Sequence, residues 1–535
     1  MKKLLLTVVA SLAFCGAIFA QHTSHWAYFD LEANPFEMSD IFAAFIKIDG
    51  NVVAAENHYA DLEIAAFQED GDGQCRGHAF MTYHPEFDDP YPVLELSVFR
   101  NMDGDVHPIV FRMYDHASGI EYTSYAMYMD GVAISSINNG VDHDELYNAY
   151  PANTETGLLL DFTTPPTFPK AIAGYGSNPG GYYLIASPIG EINPVFVQHM
   201  LENEYDLYWF NQSGDPEGNQ WMNYKVESFN LAAGKGYLYA NSQDVTLEFT
   251  NDPYDGEGVF PLVYDASSPF NMAGVNLVGN PYSQTAYVNG RSFYVMNGEG
   301  TQIVPSESNS VQPMEGIFVV AGGAGESVTF STTDGGKGSM VALNLSDGRS
   351  VLDRAIVSFD EDRALPKFQL WNTSKVYIPR GGEDYAVVRS DEQGEIPVGF
   401  KAVEDGSYTL SLSSENAAFR YLHLVDNLTG ADIDLLQTPA YGFEAHTTDY
   451  AGRFSLVYCL ETAGVGENFA FVSNGQLIVN GEGTLQVFDA LGRQLLARDL
   501  SASHASLSTS NLPAGVYVLH LTDGDNVRTQ KIVVR

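Results

Sequence analysis

The chain has 535 residues, with 68 Asp and Glu against 26 Lys and Arg and a formal net charge of −42. So acidic a chain argues against nucleic-acid binding, which needs a basic footprint, and against docking on anionic lipid. Three cysteines without a Cys-x-x-Cys pair exclude a disulfide framework and a thiol zinc or redox motif, while 50 Gly, 31 Tyr and 31 Phe suit an all-β extracellular protein rich in turns.

Met1-Lys2-Lys3 is a short basic start, and Leu4 to Ala20 follows without a charge. Residues 1–20 read as a secretory signal peptide with cleavage at Ala20-Gln21. Phe14 before Cys15 is too bulky for a lipoprotein box. No later stretch is long and apolar enough to cross a bilayer as a helix, so a soluble, exported chain is expected. Without Lys2 and Lys3, 24 basic residues face 68 acidic ones, a charge of −44. From Asn468 onward the count is five of each, so the whole excess lies in residues 21–467 and a domain boundary falls near 468. The excess reads as a solubilising surface or as divalent-cation binding.

Residues 21–162 form a first β module. Runs such as Phe42–Ile48, Leu62–Phe67, Val93–Phe99 and Ile109–Met113 are separated by Asp-Gly and Asn-Gly turns, the pattern of antiparallel strands. Glu63-Ile64-Ala65-Ala66-Phe67 with Cys75-Arg76-Gly77 resembles an N-terminal module of exported Bacteroidota proteins. The Thr163–Pro169 stretch is a linker.

An internal repeat occupies 170–335. Tyr183–Pro188, Gly234–Ala240 and Val245–Leu247 in the first copy answer to Asn276–Pro281, Glu315–Ala321 and Val328–Phe330 in the second. Leu184 to Gly236 spans 52 residues and Leu277 to Gly316 spans 39, so the copies differ by a loop insertion. Two such halves predict a duplicated β fold or one pseudo-symmetric sandwich. In the longer loop, Asn193 as cap, Pro194 at the first position and Val197, Met200 and Leu201 on one face predict a helix. Residues 337–460 read as a third β-sandwich, with strands at Tyr408–Leu412 and Tyr421–Val425, followed by a flexible linker at Glu461–Glu467.

The segment 468–535 carries Val487-Phe488-Asp489-Ala490-Leu491-Gly492-Arg493, then Pro513-Ala514-Gly515-Val516-Tyr517, then Lys531-Ile532-Val533-Val534-Arg535. This order resembles the type A C-terminal sorting domain of the type IX secretion system of Bacteroidota. The resemblance implies a small Ig-like domain read by the outer-membrane export machinery and usually cut off outside. It assigns Asp489, Gly492, Gly515, Val516, Tyr517 and Lys531 to export, and implies delivery through the periplasm to the cell surface or medium, with a surface lipopolysaccharide anchor as one fate. Alternation predicts paired core positions at Leu477/Val479, Leu485/Val487, Val516/Val518 and Ile532/Val534.

Chemistry is sparse. There is no H-E-x-x-H, G-x-S-x-G or Walker loop. His22, His25, His58, His78, His84, His107, His116 and His143 cluster before residue 150 without ligand spacing, and read as scattered. Glu69–Gly73 and Asp103-Gly104-Asp105 are hairpin turns or a weak calcium site. Tyr208, Trp209 and Trp221 beside a polar loop are candidate ligand contacts on a sugar-binding face, or cross-strand packing. No catalytic, cofactor-binding or metal-ligating residue is assigned, and no cofactor is expected.

The expectation is therefore an all-β protein of tandem antiparallel β-sandwich domains ending in a small Ig-like sorting domain. It is exported by the type IX machinery and is non-enzymatic, an adhesive or structural interaction module. The alternatives are a glycan- or matrix-binding protein, or a hydrolase whose site one sequence does not reveal.

Overall fold

The computed structural model describes residues 23–26, 38–54, 59–68, 74–83, 92–100, 108–137, 157–176, 181–215, 218–269, 272–336, 338–360, 364–368, 370, 372–462, 469–473, 475–502 and 504–534. The signal peptide, the Asp-Gly clusters at 69–73 and 103–105, five of the eight early histidines (22, 58, 84, 107 and 143) and the linker at 463–467 lie outside them. The secondary structure of the described residues is almost wholly β, and the sheets are mostly antiparallel. Among these residues no helix is long and apolar enough to cross a membrane.

One compact unit takes in Met1–Lys170, Ile189–Leu201 and Thr246–Tyr254. Its larger sheet is built around Met38–Ile48, which pairs antiparallel with Pro92–Arg100 and parallel with Leu158–Phe162. A four-stranded sheet runs Cys75–Phe80, Leu62–Gln68, Ile109–Asp115, Ile120–Tyr122. Phe42, Ile46, Ile64, Leu94, Leu96, Phe111 and Leu160 share one core. Leu62–Gln68 is buried at every residue, so its carboxylate, Glu63, has to find partners inside the protein. In the same unit the predicted helix shrinks to one 3-10 turn, Pro194–Phe196. Asn193 does cap it, its side chain accepting from the Val195 amide, but Val197 is already extended and His199 has φ of 63°, which ends the helix.

The second unit takes in Ala171–Pro188, Glu202–Val245 and Asp255–Arg535. The duplication appears in it as topology. The first copy forms a four-stranded sheet in the order Tyr183–Ala186, Gly236–Asn241, Tyr205–Phe210, Trp221–Asn223. The second repeats that order with Val275–Gly279, Gly316–Val320, Tyr294–Met296 and Ile303–Pro305. The registers coincide: Ala186 faces Gly236 where Gly279 faces Gly316, and Leu238 faces Tyr208 where Phe318 faces Tyr294.

The third sandwich holds Leu343, Leu345, Leu410, Leu424, Phe454 and Leu456 in one core. Buried Arg453 is tied to buried Asp426 at 2.9 Å and lies over the Phe443 and Phe454 rings. The tail has its own core, with Leu477, Val479, Leu485, Val487, Leu519, Ile532 and Val534. It also meets the sandwich through Ile478, which packs with Val425 and Val457. One pair of core positions departs from the sequence reading. Val516 is 37 % exposed, and Gly515–Asp523 turns Tyr517, Leu519 and Leu521 inward instead. The two-residue period holds with its parity reversed, because Tyr and Leu bury more apolar surface than two valines do.

Candidate functional site

The two copies of the repeat meet around a pseudo-two-fold axis. Ile185 bridges to Glu315 and, as its counterpart, Val278 bridges to Lys235. The Ala186 amide donates to the Met314 carbonyl and the Gly279 amide to the Gly234 carbonyl. A Cβ on Gly316 would stand 3.4 Å from the Gly236 Cα, and one on Gly236 would strike the Val278 carbonyl at 2.6 Å. Close backbone approach thus requires glycine at 236 and leaves only a tight fit for a Cβ at 316.

The symmetry breaks at the hairpins. Asn211 pairs its amide with the Gln220 carbonyl, and its counterpart Asn297 pairs with Gln302, so 212–219 in one copy replaces 298–301 in the other. The short hairpin closes against its neighbour, the Tyr182 amide donating to the Gly300 carbonyl. The longer one sends buried Gln212 into the second copy, where its amide donates to Val263 O at 2.9 Å and its oxygen accepts from the Asp265 and Gly274 amides at 3.0 and 2.7 Å.

Beside that clamp lies a cleft of about 320 Å³, lined from the first copy by Trp209, Phe210 and Lys235 and from the second by Phe260, Pro261, Val263, Val275 and Leu277, among others. The three aromatic residues singled out from sequence divide between two places. Tyr208 and Trp221 pack on the core beneath the sheet, Trp221 lying 5.2 Å from Phe210 and 6.1 Å from Phe318. Trp209, on the other face of its strand, lines the cleft. Most polar side chains there are already engaged. Asn276 donates to Val263 O and Gly274 O and accepts from the Val263 amide, which spends both of its donors.

A second cluster was invisible in the sequence. Glu63 accepts from Ser24 Oγ at 2.5 Å and the His25 amide at 2.8 Å, and pairs with His78 Nδ1 at 2.8 Å and His116 Nε2 at 2.7 Å. Burial alone would raise its pKa, but the bonds from Ser24, His25 and His116, with the His78 charge, hold it below the usual 4.5. His25 stacks on Tyr114 at 3.7 Å, and Trp26 packs with Ala65, Phe67 and Cys75. The cluster pins the segment 24–26 to the sheet. No group of three or more His, Cys, Asp or Glu placed to hold a metal ion occurs among the described residues. Cys75 and Cys459 are both free and buried.

In the tail, Asp489 closes a hairpin turn, accepting from the Leu491 and Arg493 amides and from Arg493 Nε at 2.7 Å, with Gly492 at φ of 78°. Tyr517 donates to the Pro513 carbonyl at 2.6 Å, so its hydroxyl locks the Leu512–Gly515 turn ahead of the strand that Gly515 opens. Lys531 is exposed opposite Val518.

Residues 469–535 match the family described as Secretion system C-terminal sorting domain. The chain therefore ends in a type IX sorting domain, and the protein is a secreted or cell-surface protein of the Bacteroidota type. Over 252 residues, 45 % of this chain, it is 29 % identical to the minor fimbrium subunit Mfa5 of Porphyromonas gingivalis. That match spans 19 % of the relative's length. Among solved structures, a biofilm associated protein (BSP domain) aligns over 96 % of this chain and 98 % of its own at 10 % identity, with a TM-score of 0.14, too low to compare folds.

Proposed function

We propose that the protein is a non-enzymatic adhesive or structural module, carried out of the cell by the type IX machinery and displayed at the surface. The observation that carries this reading is the likeness to a fimbrium subunit over 252 residues in a chain that ends in a sorting domain. The architecture supports it: the described residues form β sheets around large apolar cores and present sheet surface. The test compares the producing bacterium with a strain lacking this chain. Attachment to immobilised matrix proteins, glycans and other bacterial cells is expected to fall, with no change in the glycosidase or peptidase activity of washed cells. Unchanged attachment together with loss of a hydrolytic activity would overturn the proposal.

A further inference from the structure

We infer that the cleft beside Trp209 binds an extended peptide that places an apolar side chain in the cleft and a neighbouring carboxylate on Lys235. This rests on reading the chain as an interaction module. Four observations converge. First, duplication supplies an internal control, because equivalent places around the pseudo-axis have diverged. Trp209 stands where the second copy has Val295, which packs into that copy's own core, and Lys235 stands where it has Glu315, whose carboxylate caps the Gln312 amide. Only the first-copy position combines an indole with a cation. Second, Lys235 is exposed and is the one charged residue among those lining the cleft. Its ammonium has no ion pair or hydrogen bond among the described residues, in a chain where acids outnumber bases 68 to 26. Such a cation selects an anionic group.

Third, the remaining lining is apolar and its amides are spent. Gln212 clamps the first copy to the second and Asn276 ties Val263 to Gly274 within the second, so a sugar, which needs several hydrogen-bonding partners, would find few. An aliphatic or aromatic side chain needs none, and the volume is at the lower end for a small-ligand pocket. Fourth, the strand Val259–Pro261 forms the rim and is paired on one edge only, with Ser327–Thr329. Val259 and Val263 along it are 49 % and 61 % exposed. Pro261 carries no N–H and the Val263 amide and carbonyl are held by Asn276, so an extended peptide would lie across this rim through side-chain contacts while its apolar side chain enters the cleft.

The test uses the chain from residue 21 to 535 and two synthetic probes, N-acetyl-Val-Phe-Asp-Val-amide and the same peptide with Asn for Asp, read by saturation-transfer NMR and tryptophan fluorescence. The Asp peptide is expected to bind about tenfold tighter, a preference that shrinks with added salt. Lys235→Met should erase the preference, Trp209→Ala should weaken both peptides by tenfold or more, and Glu315→Met, at the pseudo-symmetric position, should change neither. Equal binding of both peptides, no binding of either, indifference to Lys235→Met, or competition at the cleft by glucuronic acid would each overturn the inference. The strain lacking this chain separates the two proposals: attachment that falls on its loss while the purified chain binds neither peptide sinks only the cleft.

Discussion

The body and the tail each contain an Asp–Arg pair beside a turn, and the two differ in what they hold. In the body, Asp426 and Arg453 are 27 residues apart and fully buried, and Arg453 also reaches the Glu444 carbonyl and Asp449. In the tail, Asp489 and Arg493 belong to one hairpin, and the arginine side chain is 72 % exposed. The body pair staples distant strands. The tail pair shapes a surface turn and leaves its guanidinium facing solvent. The same division runs through the charge, with the whole −44 excess in the body and a neutral tail. In the proposed reading, delivery and interaction are carried by separate surfaces.

The sharpest way to probe that contrast is to remove each aspartate. Asp426→Ala leaves a buried guanidinium with only Asp449 and the Glu444 carbonyl as partners and is expected to cost about 3 kcal/mol in urea unfolding. Asp489→Ala loses a solvated ion pair and two turn hydrogen bonds and should lower the melting temperature only slightly. Equal effects would abolish the distinction. Next in size is Gln212→Ala, which leaves the buried Gly274 amide without its acceptor and is expected to cost about 2–3 kcal/mol. A loss below half of that would mean that the long hairpin does not clamp the two copies.

The smallest effect is the pH response of the first unit. Glu63 is held below its usual 4.5, so its contribution is present above that value and is lost as pH falls through the lower folded value. His25 is lowered from 6.5 by burial, against the pull of Glu121 and Glu63 and together with His116. Between its folded value and 6.5 the unfolded chain binds more protons. Both groups therefore make stability rise with pH over those windows. Glu63→Gln should flatten the acid limb of a melting-temperature profile recorded from pH 3 to 7, and an unaltered limb would show that the cluster does not couple to folding.

Much of this fold was legible. Strands such as Leu62–Gln68, Gly236–Asn241 and Gly316–Val320 declare themselves by β-branched and aromatic runs between turns, and the repeat shows as two Gly-led aromatic strands. Most of what stayed hidden depends on distant chain segments. Around Val516 the inward face shows only when the whole strand is read: the parity of Val516 runs on to His520 and Thr522, that of Tyr517 to Leu519 and Leu521. Burial of Leu62–Gln68 on both faces, which turns Glu63 into a hub for Ser24, His78 and His116, has no local signature. The cleft is illegible for a similar reason: Gly236 and Gly316 bring two strands together by having no side chain, and Trp209 parts from Tyr208 and Trp221 only once the strand faces are known.

The central claim, that the tail delivers and the body acts, is tested most directly by deleting Lys531–Arg535. The deletion removes the end of Asn526–Val534, including buried Ile532 and Val534, which pairs along Gly515–Asp523. Protease shaving of intact cells, with fractionation of the periplasm, reads the outcome. The account predicts a protein that is protected from external protease, accumulates in the periplasm, and keeps the body at 21–460 folded by limited proteolysis. Normal surface exposure of the truncated chain would contradict it.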